Sequence, residues 1–299
     1  SAAGRRRSPG DHPGPMRAEE TRRMKEVESP RSSLWVRIAS AAVLIAAAFG
    51  LLALGRPGFY AIAVLAGGFG LWEFRGITAR FRATAPLWLL FPLGFYFIFS
   101  GTELSWLPME LVLAATLVVG LSVFLFLSGT TQGVGRWAMG LAGAIYIGLP
   151  LNYYVLLYTQ PSGYRGLFWV LITLATLMLE DTAALLAGRR FGRRPFFPRI
   201  SPKKTWEGAI VGFVIGVAVM VLGTYFLLQV PWWHGLVLGV LAGVMGVAGD
   251  LVESQLKRLA AIKDSSHLIP GHGGVLDRMD SLLFAPIAIY LYASAFHLL

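Results

Sequence analysis

The chain contains no cysteine, and only 14% of its 299 residues are charged. The lack of cysteine excludes disulfide bonds, thiolate metal sites and a cysteine nucleophile. Charged residues make up roughly 25% of an ordinary soluble domain, so their scarcity argues against a soluble fold. Hydrophobic residues make up 56% of the chain. Apolar runs of about 20 residues, each long enough to cross a bilayer, recur along most of its length. The composition therefore predicts an all-α polytopic integral membrane protein.

Nine apolar segments follow the first 33 residues. They cover residues 34–54, 57–73, 86–101, 106–128, 137–158, 167–187, 207–229, 233–250 and 281–299. The Gly and Pro residues within several of them are tolerated in membrane helices. We therefore predict about nine transmembrane helices, which form one membrane domain over residues 34–299.

The Lys and Arg residues predict the orientation of these helices. If the N-terminus is cytosolic, 23 of the 26 Lys and Arg residues fall in cytosolic segments, Arg37 lies within the first apolar segment, and only Arg56 and Arg165 fall outside. Since cytosolic loops are enriched in Lys and Arg, we predict a cytosolic N-terminus and a C-terminus on the outside. The net charge of +10 then orients the helices and attracts anionic membrane lipid, and it does not indicate nucleic-acid binding.

The first 33 residues are polar, rich in Arg, Pro, Gly and Ser, and poor in apolar residues. This composition predicts a disordered basic cytosolic tail. Because the chain begins with Ser, part of the tail is expected to be vector-derived, with Met16 or Met24 as the native start.

The eighth apolar segment ends in an isolated carboxylate, Asp250, within "LAGVMGVAGDLVESQLKR". If the helix continues, Ser254 and Lys257 lie on the same face as Asp250. Glu253 and Arg258 are read as positions where the helix reaches water. An ionisable group at membrane depth is costly and is a functional hypothesis by default, so Asp250 is a candidate site residue.

A glycine-rich stretch, "KDSSHLIPGHGGVLDRMDS", precedes the last apolar segment. Its glycines allow close approach of the backbone to a ligand, and successive N–H groups in such a turn can bind an anion. Asp277 and Asp280 are expected to share a helical face, where two carboxylates repel unless a cation such as Mg²⁺ lies between them. The alternative is a pair of solvated helix caps. His272 is either a general base or a group that hydrogen-bonds phosphate or the loop.

The segment 179–208 forms a second polar block, "LEDTAALLAGRRFGRRPFFPRISPKKTWEG". Hydroxyls, cations and a helix start together can bind phosphate, and the residues in question are Ser201, Lys203, Lys204 and Thr205. The alternative is a capped helix beside a positively charged loop. Both cytosolic segments, 188–206 and 251–280, thus combine cations with carboxylates, which is the combination that phosphoryl or nucleotidyl transfer uses.

The stretch "SQLKRLAAIKDSSHLIPGHGGVLDRMD" closely resembles the signature of the phosphatidate cytidylyltransferases, or CDP-diacylglycerol synthases. That signature runs S-x-x-K-R, K-D, P-G-H-G-G and D-R-x-D in this order. The segment 181–208 resembles a second block of the same family. The resemblance is strong over roughly residues 179–285, and before them it extends only to the arrangement of the helices. Glu180 departs from the family pattern, in which a neutral residue is expected at this position.

The resemblance implies that CTP and phosphatidic acid react to give CDP-diacylglycerol and pyrophosphate, in a bacterial inner membrane with the active site facing the cytosol. It implies a homodimer and one or two divalent cations, Mg²⁺ first, with a monovalent second ion possible. Asp250, Asp277 and Asp280 match the metal ligands. The remaining candidates for catalysis are Lys257, Lys263, His272 and Arg278. The remaining candidates for substrate binding are Asp181, Ser201, Lys203, Lys204, Thr205, Ser254, Arg258, Gly273 and Gly274.

Two other functions remain open from the sequence. A CTP-dependent kinase acting on a polyprenol or another lipid would also recognise CTP but would transfer the γ-phosphate. A membrane transporter would also place carboxylates in helices, yet its polar groups would follow a pathway through several helices. Matching pairs of interrupted helices are not evident, which weakens an inverted-repeat transporter.

Overall fold

The structure is a computed structural model that describes residues 34–81, 83–128, 131–198, 200–271 and 273–299. The predicted disordered tail, residues 1–33, and His272 lie outside the described residues. The described chain is mostly helical, as predicted. The prediction of an all-α fold is wrong in one detail, because two short strands pair as an antiparallel hairpin.

The described residues of the first half contain seven α-helices. They are α1 (Leu34–Leu52), α2 (Arg56–Ala79), α3 (Leu87–Phe99), α4 (Met109–Ala115), α5 (Leu121–Ser128), α6 (Thr131–Gly143) and α7 (Leu149–Thr159). A π-helical turn, Thr116–Gly120, joins α4 to α5, and a second, Ala144–Gly148, joins α6 to α7.

The described second half contains five helices, two of which are the longest in the described chain, and the two strands of the hairpin. In order they are α8 (Arg165–Phe191), β1 (Pro195–Phe197), β2 (Ser201–Thr205), α9 (Trp206–Leu228), α10 (Trp232–Leu259), the short α11 (Leu276–Met279) and α12 (Ala285–Ala295). In the hairpin, Pro195 is opposite Thr205 and Phe197 is opposite Ser201, with an irregularity between the two pairs.

In the described part of the chain, five helical stretches are long and apolar enough to cross a membrane. They are Met109–Phe126, Thr131–Thr159, Arg165–Phe191, Trp206–Leu228 and Trp232–Leu259. Shorter apolar helices cover Ile38–Leu52, Leu87–Phe99 and Ala285–Ala295. Large apolar side chains such as Phe126, 83% exposed, project from the helices, as a lipid-facing surface requires. The protein is thus a polytopic membrane protein, while nine crossings and the sides of the termini stay predictions.

Glycines allow α8, α9 and α10 to pack closely. Gly208, Gly212 and Gly216 repeat every four residues and face α8, where a Cβ at Gly212 would lie 2.6 Å from the carbonyl oxygen of Glu180. Gly235 and Gly239 of α10 similarly face the backbone of α9. Small residues at such positions let membrane helices approach until their backbones touch. This packing brings the polar ends of α8 and α10 together with the hairpin between them.

Two helices extend beyond the apolar segments that predicted them. Helix α2 continues to Ala79, beyond the predicted end at residue 73, and α10 continues to Leu259, beyond residue 250. The last turns of both helices carry charged residues whose partners lie in other elements. The apolar segments therefore marked the lipid-facing part of each helix, and tertiary contacts stabilise the rest.

Candidate active site

The last turns of α10 carry the polar face that the sequence spacing predicted. Ser254 donates from Oγ to Oδ1 of Asp250 at 3.1 Å, so the helix does continue past Asp250. Lys257, one turn later, forms an ion pair with Glu253 and donates to Oδ1 of Asp277 at 2.7 Å. Glu253 is fully buried, with 0% exposure, so its interpretation as a solvated position is wrong. Lys257 makes the burial of that carboxylate possible by neutralising it.

The hairpin is closed by the first turn of α9. Oε2 of Glu207 accepts hydrogen bonds from the backbone N–H groups of Arg193 (3.1 Å) and Arg194 (3.3 Å). The N–H of Trp206 donates to the carbonyl of Arg194 at 3.0 Å. Thr205 is the N-cap of α9, and its Oγ1 accepts from the N–H of Gly208 at 3.3 Å. The described role of Thr205 is therefore helix capping, the alternative that the sequence left open.

The hairpin also contacts the polar end of α10. Nε of Arg258 donates to the carbonyl of Ile200 at 3.3 Å. Nζ of Lys204, on β2, forms an ion pair and a hydrogen bond with Oδ2 of Asp250. The structure thus brings together Lys204 and Asp250, which lie 46 residues apart in the sequence.

Lys204 lies among several carboxylates. Burial lowers the pKa of Lys204, and the negative charges of Asp181, Asp280 and Glu180 oppose that shift. Asp250 is its direct partner. Carboxylates from α8, from α10 and from the end of α11 therefore surround one ammonium group. This cluster contains more carboxylates than ammonium groups.

Asp280 is joined to α8 through Ser281. The N–H of Ser281 donates to Oδ1 of Asp280 at 2.8 Å, and its Oγ donates to Oδ2 of Asp181 at 2.7 Å. Burial raises the pKa of Asp280, the Ser281 N–H opposes this, and the charge of Asp181 adds to it. Gly249 packs on the carbonyl oxygen of Asp280, where a Cβ would collide. Asp280 and Asp250 are therefore held on adjacent backbones.

Asp277 has a different set of partners. Its Oδ1 accepts from Lys257, and its Oδ2 accepts from the N–H of Ser265 (2.9 Å), the hydroxyl of Ser265 (2.9 Å) and the N–H of Gly274 (2.8 Å). Burial opposes ionisation, but the Lys257 ammonium and the Gly274 and Ser265 N–H groups outweigh it and hold the pKa of Asp277 below its ordinary value. The described contacts of Asp277 thus hold the loop to α10.

Glu73 of α2 is a site residue that the sequence analysis missed. It is 1% exposed, and its carboxylate accepts from the N–H groups of Val275 (2.9 Å) and Leu276 (2.6 Å). The hydroxyls of Ser265 (2.9 Å) and Ser266 (2.6 Å) also donate to it. The signal was present, since Glu73 is a lone carboxylate at the end of an apolar run, as Asp250 is. It was overlooked because the residues that follow it, 74–85, were read only as a basic loop.

The anion-binding turn predicted at "PGHGG" is occupied by the protein's own carboxylates. The N–H of Gly274 donates to Asp277, and the next two N–H groups donate to Glu73. Gly273, at φ +82°, has the left-handed conformation that glycine accepts readily. The prediction that these N–H groups are open to substrate phosphate therefore does not fit the described arrangement, although the turn does bind anions.

Other predicted site residues are not drawn into the carboxylate cluster. Lys203, Lys263 and Arg278 are exposed, and Ser201 is half-buried in β2. Among the described contacts, none links these four residues to the carboxylates. His272 lies outside the described residues, so its proposed roles stay predictions.

The metal prediction depends on Asp250, Asp277 and Asp280. Within the described ranges, no group of three His, Cys, Asp or Glu residues is arranged to hold a metal ion. Lys204 and Lys257 instead occupy oxygens of Asp250 and Asp277. The direct partner of Lys204 is nevertheless a carboxylate, and carboxylate oxygens are the ligands that Mg²⁺ prefers. The chemistry of the cluster fits such an ion, provided that Lys204 moves away from Asp250.

Comparisons with known proteins identify the family of this chain. The model of the cytidylyltransferase family matches residues 35–296. A phosphatidate cytidylyltransferase of Synechocystis sp. is 34% identical over 279 residues, which cover 85% of this chain and 94% of that protein. The Haemophilus influenzae enzyme of the same name is 35% identical over 86% of this chain and 97% of its own length. The Bacillus subtilis enzyme is 34% identical over 70% of this chain and 76% of its own length.

These matches extend well beyond the signature and confirm the resemblance seen in the sequence. They also include the helices before residue 179, for which the sequence offered only a similar topology. The chain therefore belongs to the cytidylyltransferase family and is a membrane-embedded nucleotidyltransferase.

Proposed function

We propose that the protein is a phosphatidate cytidylyltransferase. A phosphate oxygen of phosphatidic acid attacks the α-phosphorus of CTP, the bond from that phosphorus to the bridging β-phosphate oxygen breaks, and pyrophosphate leaves. The products are CDP-diacylglycerol and pyrophosphate. The observation that carries the proposal is the convergence of both basic segments on α10, through the pairs Lys204–Asp250 and Lys257–Asp277. The names of the relatives support the choice of lipid substrate.

The main physical obstacle to this reaction is repulsion between two anionic substrates. Lys204 is half-buried, and an ammonium group in such a place interacts more strongly with phosphate than one in water. The exposed Lys203, Lys263 and Arg278 attract CTP from the cytosol. A phosphate of the lipid is already anionic near neutral pH, so these residues need only bind, orient and neutralise.

The carboxylates around Lys204 are the proposed ligands of a divalent cation. Asp250 and Asp280 hold it, and Asp181, which accepts a hydrogen bond from the neighbouring Ser281, is a further candidate ligand. When bound, the ion supplies Lewis-acid stabilisation of the CTP phosphates and of the leaving pyrophosphate. Asp277 was matched to the same role, but its four described donors favour a role in holding the loop. We propose one or two divalent cations at this site, with Mg²⁺ as the first.

The location follows from the solubility of the two substrates. Acyl chains stay in the bilayer and CTP stays in water, so the reacting atoms must meet at an interface. The distribution of Lys and Arg supports a cytosolic position for the two basic segments. We therefore propose nine crossings, a cytosolic N-terminus, a C-terminus outside, and a homodimer in a bacterial inner membrane.

Product analysis tests the proposal directly. Purified protein is incubated with phosphatidic acid, CTP labelled in the cytosine ring and Mg²⁺, and the lipid and aqueous products are separated. Labelled CDP-lipid with pyrophosphate is expected. Free CDP with no label in the lipid would instead indicate a kinase, and no reaction of CTP would leave transport as the function to measure.

Two aspartate variants test the roles within the site. Asp280→Asn is expected to lower turnover by more than about a hundredfold, because it removes a charge at the reacting centre. Asp277→Asn is expected to lose less activity, because the described contacts of Asp277 hold the loop. Glu110→Gln is the control, since Glu110 is an exposed carboxylate in the first turn of α4. Near-normal turnover of Asp280→Asn would overturn the metal assignment.

A further inference from the structure

Glu73 forms a complete set of hydrogen bonds with one loop. Each carboxylate oxygen accepts one backbone N–H and one hydroxyl: Oε1 from Val275 and Ser266, and Oε2 from Leu276 and Ser265. These donors lie about 200 residues from Glu73 in the sequence. The Ser265 hydroxyl is shared with Asp277, so the Glu73 carboxylate has three donors and a share of a fourth. A buried carboxylate with these donors is held firmly and holds them in return.

We infer that Glu73 is a positioning residue for nucleotidyl transfer, which fixes the loop of residues 265–276 against α2 and thereby sets the position of Asp277. This inference rests on the proposed function, because it assigns Glu73 to that site. Glu73 does not touch the proposed reacting atoms in the described structure. It acts through the loop that carries the signature.

The link from Glu73 to the site runs through Ser265. The hydroxyl of Ser265 lies 2.9 Å from Oε2 of Glu73 and 2.9 Å from Oδ2 of Asp277. Because one hydroxyl carries one hydrogen, it donates to one of the two carboxylates at a time. Asp277 in turn accepts from Lys257 at 2.7 Å. Glu73 is therefore the far end of a chain of polar contacts that reaches α10.

Gly274 supports the same conclusion from the backbone. A Cβ at this position would lie 2.6 Å from both carboxylate oxygens of Glu73 and would collide with the Ser265 hydroxyl. A glycine is required here because the Glu73 carboxylate approaches the chain so closely. The second glycine of the signature pair is thus explained by Ser265 and Glu73 together, and no contact with substrate is needed to account for it.

The pattern of donors makes Glu73→Gln a specific test of the contacts between Glu73 and the loop. The Ser265 and Ser266 hydroxyls can rotate to accept from an amide, but the N–H groups of Val275 and Leu276 cannot reverse. An amide NH₂ must therefore face one of these two N–H groups and leave it unsatisfied. Glu73→Asp keeps both acceptors and the charge but withdraws them by one methylene, so it should retain more activity than Glu73→Gln.

The experiment compares these variants in detergent or proteoliposomes with phosphatidic acid, CTP and Mg²⁺. For Glu73→Gln we expect kcat to fall between about fivefold and a hundredfold, the range for one unsatisfied buried donor. The KM for phosphatidic acid should stay close to the wild-type value, and the thermal midpoint should fall by only a few degrees, because one unsatisfied donor is a small part of the stability of a chain of this length. Amide hydrogen exchange should accelerate in peptides covering residues 265–276 and stay unchanged in α10. Gly76→Ala is the matched control on α2, because a Cβ there meets nothing within 4 Å.

The outcomes separate the two proposals. If the wild-type protein forms no CDP-lipid, the proposed function fails, and the exchange data still test whether Glu73 holds the loop. If the wild type is active and Glu73→Gln keeps both its turnover and the slow exchange of the loop, the inference about Glu73 is overturned. A loss of activity that accompanies a larger fall in the thermal midpoint and faster exchange throughout the protein would also overturn it, since that result indicates a purely structural role.

Discussion

Lys257 neutralises two buried carboxylates, so its replacement tests how the site is held together. Its side chain is 12% exposed, while those of Glu253 and Asp277 are 0% and 5% exposed. These values exclude strong screening by water. Removing one partner of a buried ion pair costs about 3–5 kcal/mol, because the remaining charge is left unpaired. We therefore expect Lys257→Met, which keeps most of the apolar stem, to lower the free energy of unfolding by about 3–5 kcal/mol.

The double variant Lys257→Met/Glu253→Gln isolates the electrostatic part of this loss. Glutamine is neutral, so the fully buried position no longer carries an unpaired charge. Asp277 keeps its three loop donors, from Ser265 and Gly274. The double variant should therefore be more stable than Lys257→Met alone by about 1–3 kcal/mol, although it carries one more substitution.

Reversible unfolding in mixed micelles of mild detergent and SDS, followed by circular dichroism, measures these differences. The single variants and the double variant complete a double-mutant cycle. The control is Glu110→Gln, which should unfold like the wild type. A loss below about 1 kcal/mol for Lys257→Met would refute the reasoning, because it would show that the two carboxylates are not both charged and buried. A double variant no more stable than Lys257→Met would refute it as well.

Further predictions concern the contacts of Asp250 and Asp280. Gly249→Val should lower turnover at least about tenfold, because the new side chain meets the carbonyl of Asp280 and must displace it. The control, Gly76→Ala, should leave turnover unchanged. Equal turnover in the two variants would contradict the described packing. Lys204→Met should raise the KM for CTP by about tenfold or more, since it removes a half-buried cation. Lys203 is an exposed neighbour, so Lys203→Met should change the KM for CTP less than Lys204→Met does. A larger change in Lys203→Met, measured by steady-state kinetics, would contradict the assignment of Lys204.

The course of the chain through the membrane could be predicted from local properties. The apolar runs predicted the helical segments because a membrane helix satisfies its own backbone and needs only apolar side chains. The spacing of Asp250, Ser254 and Lys257 predicted a shared face, which the Ser254–Asp250 hydrogen bond confirms. The hairpin was not predicted, since "PFFPRISPKKT" lies in a short polar loop whose strands pair only with each other.

The partners of the charged residues could not be predicted in the same way. Glu73 was overlooked, and Glu253 was read as solvated, because both are ordinary residues at helix ends when only neighbours in sequence are considered. Their burial depends on donors from the signature loop and on Lys257 respectively. The N–H groups of the glycine-rich turn contact carboxylates of the same chain, which the sequence did not indicate, and binding of substrate phosphate there stays a prediction.

The sequence by itself determined that this is a helical membrane protein of the cytidylyltransferase family, since hydrophobic length and motif order are properties of the chain alone. The tertiary structure decided which cation faces which carboxylate: Lys204 meets Asp250, Lys257 meets Asp277, and Glu73 holds the loop. Those pairs join residues from 20 to 203 positions apart. Only close packing of the glycine-bearing helices brings such groups within a few ångströms of one another, and charges interact strongly only at that range.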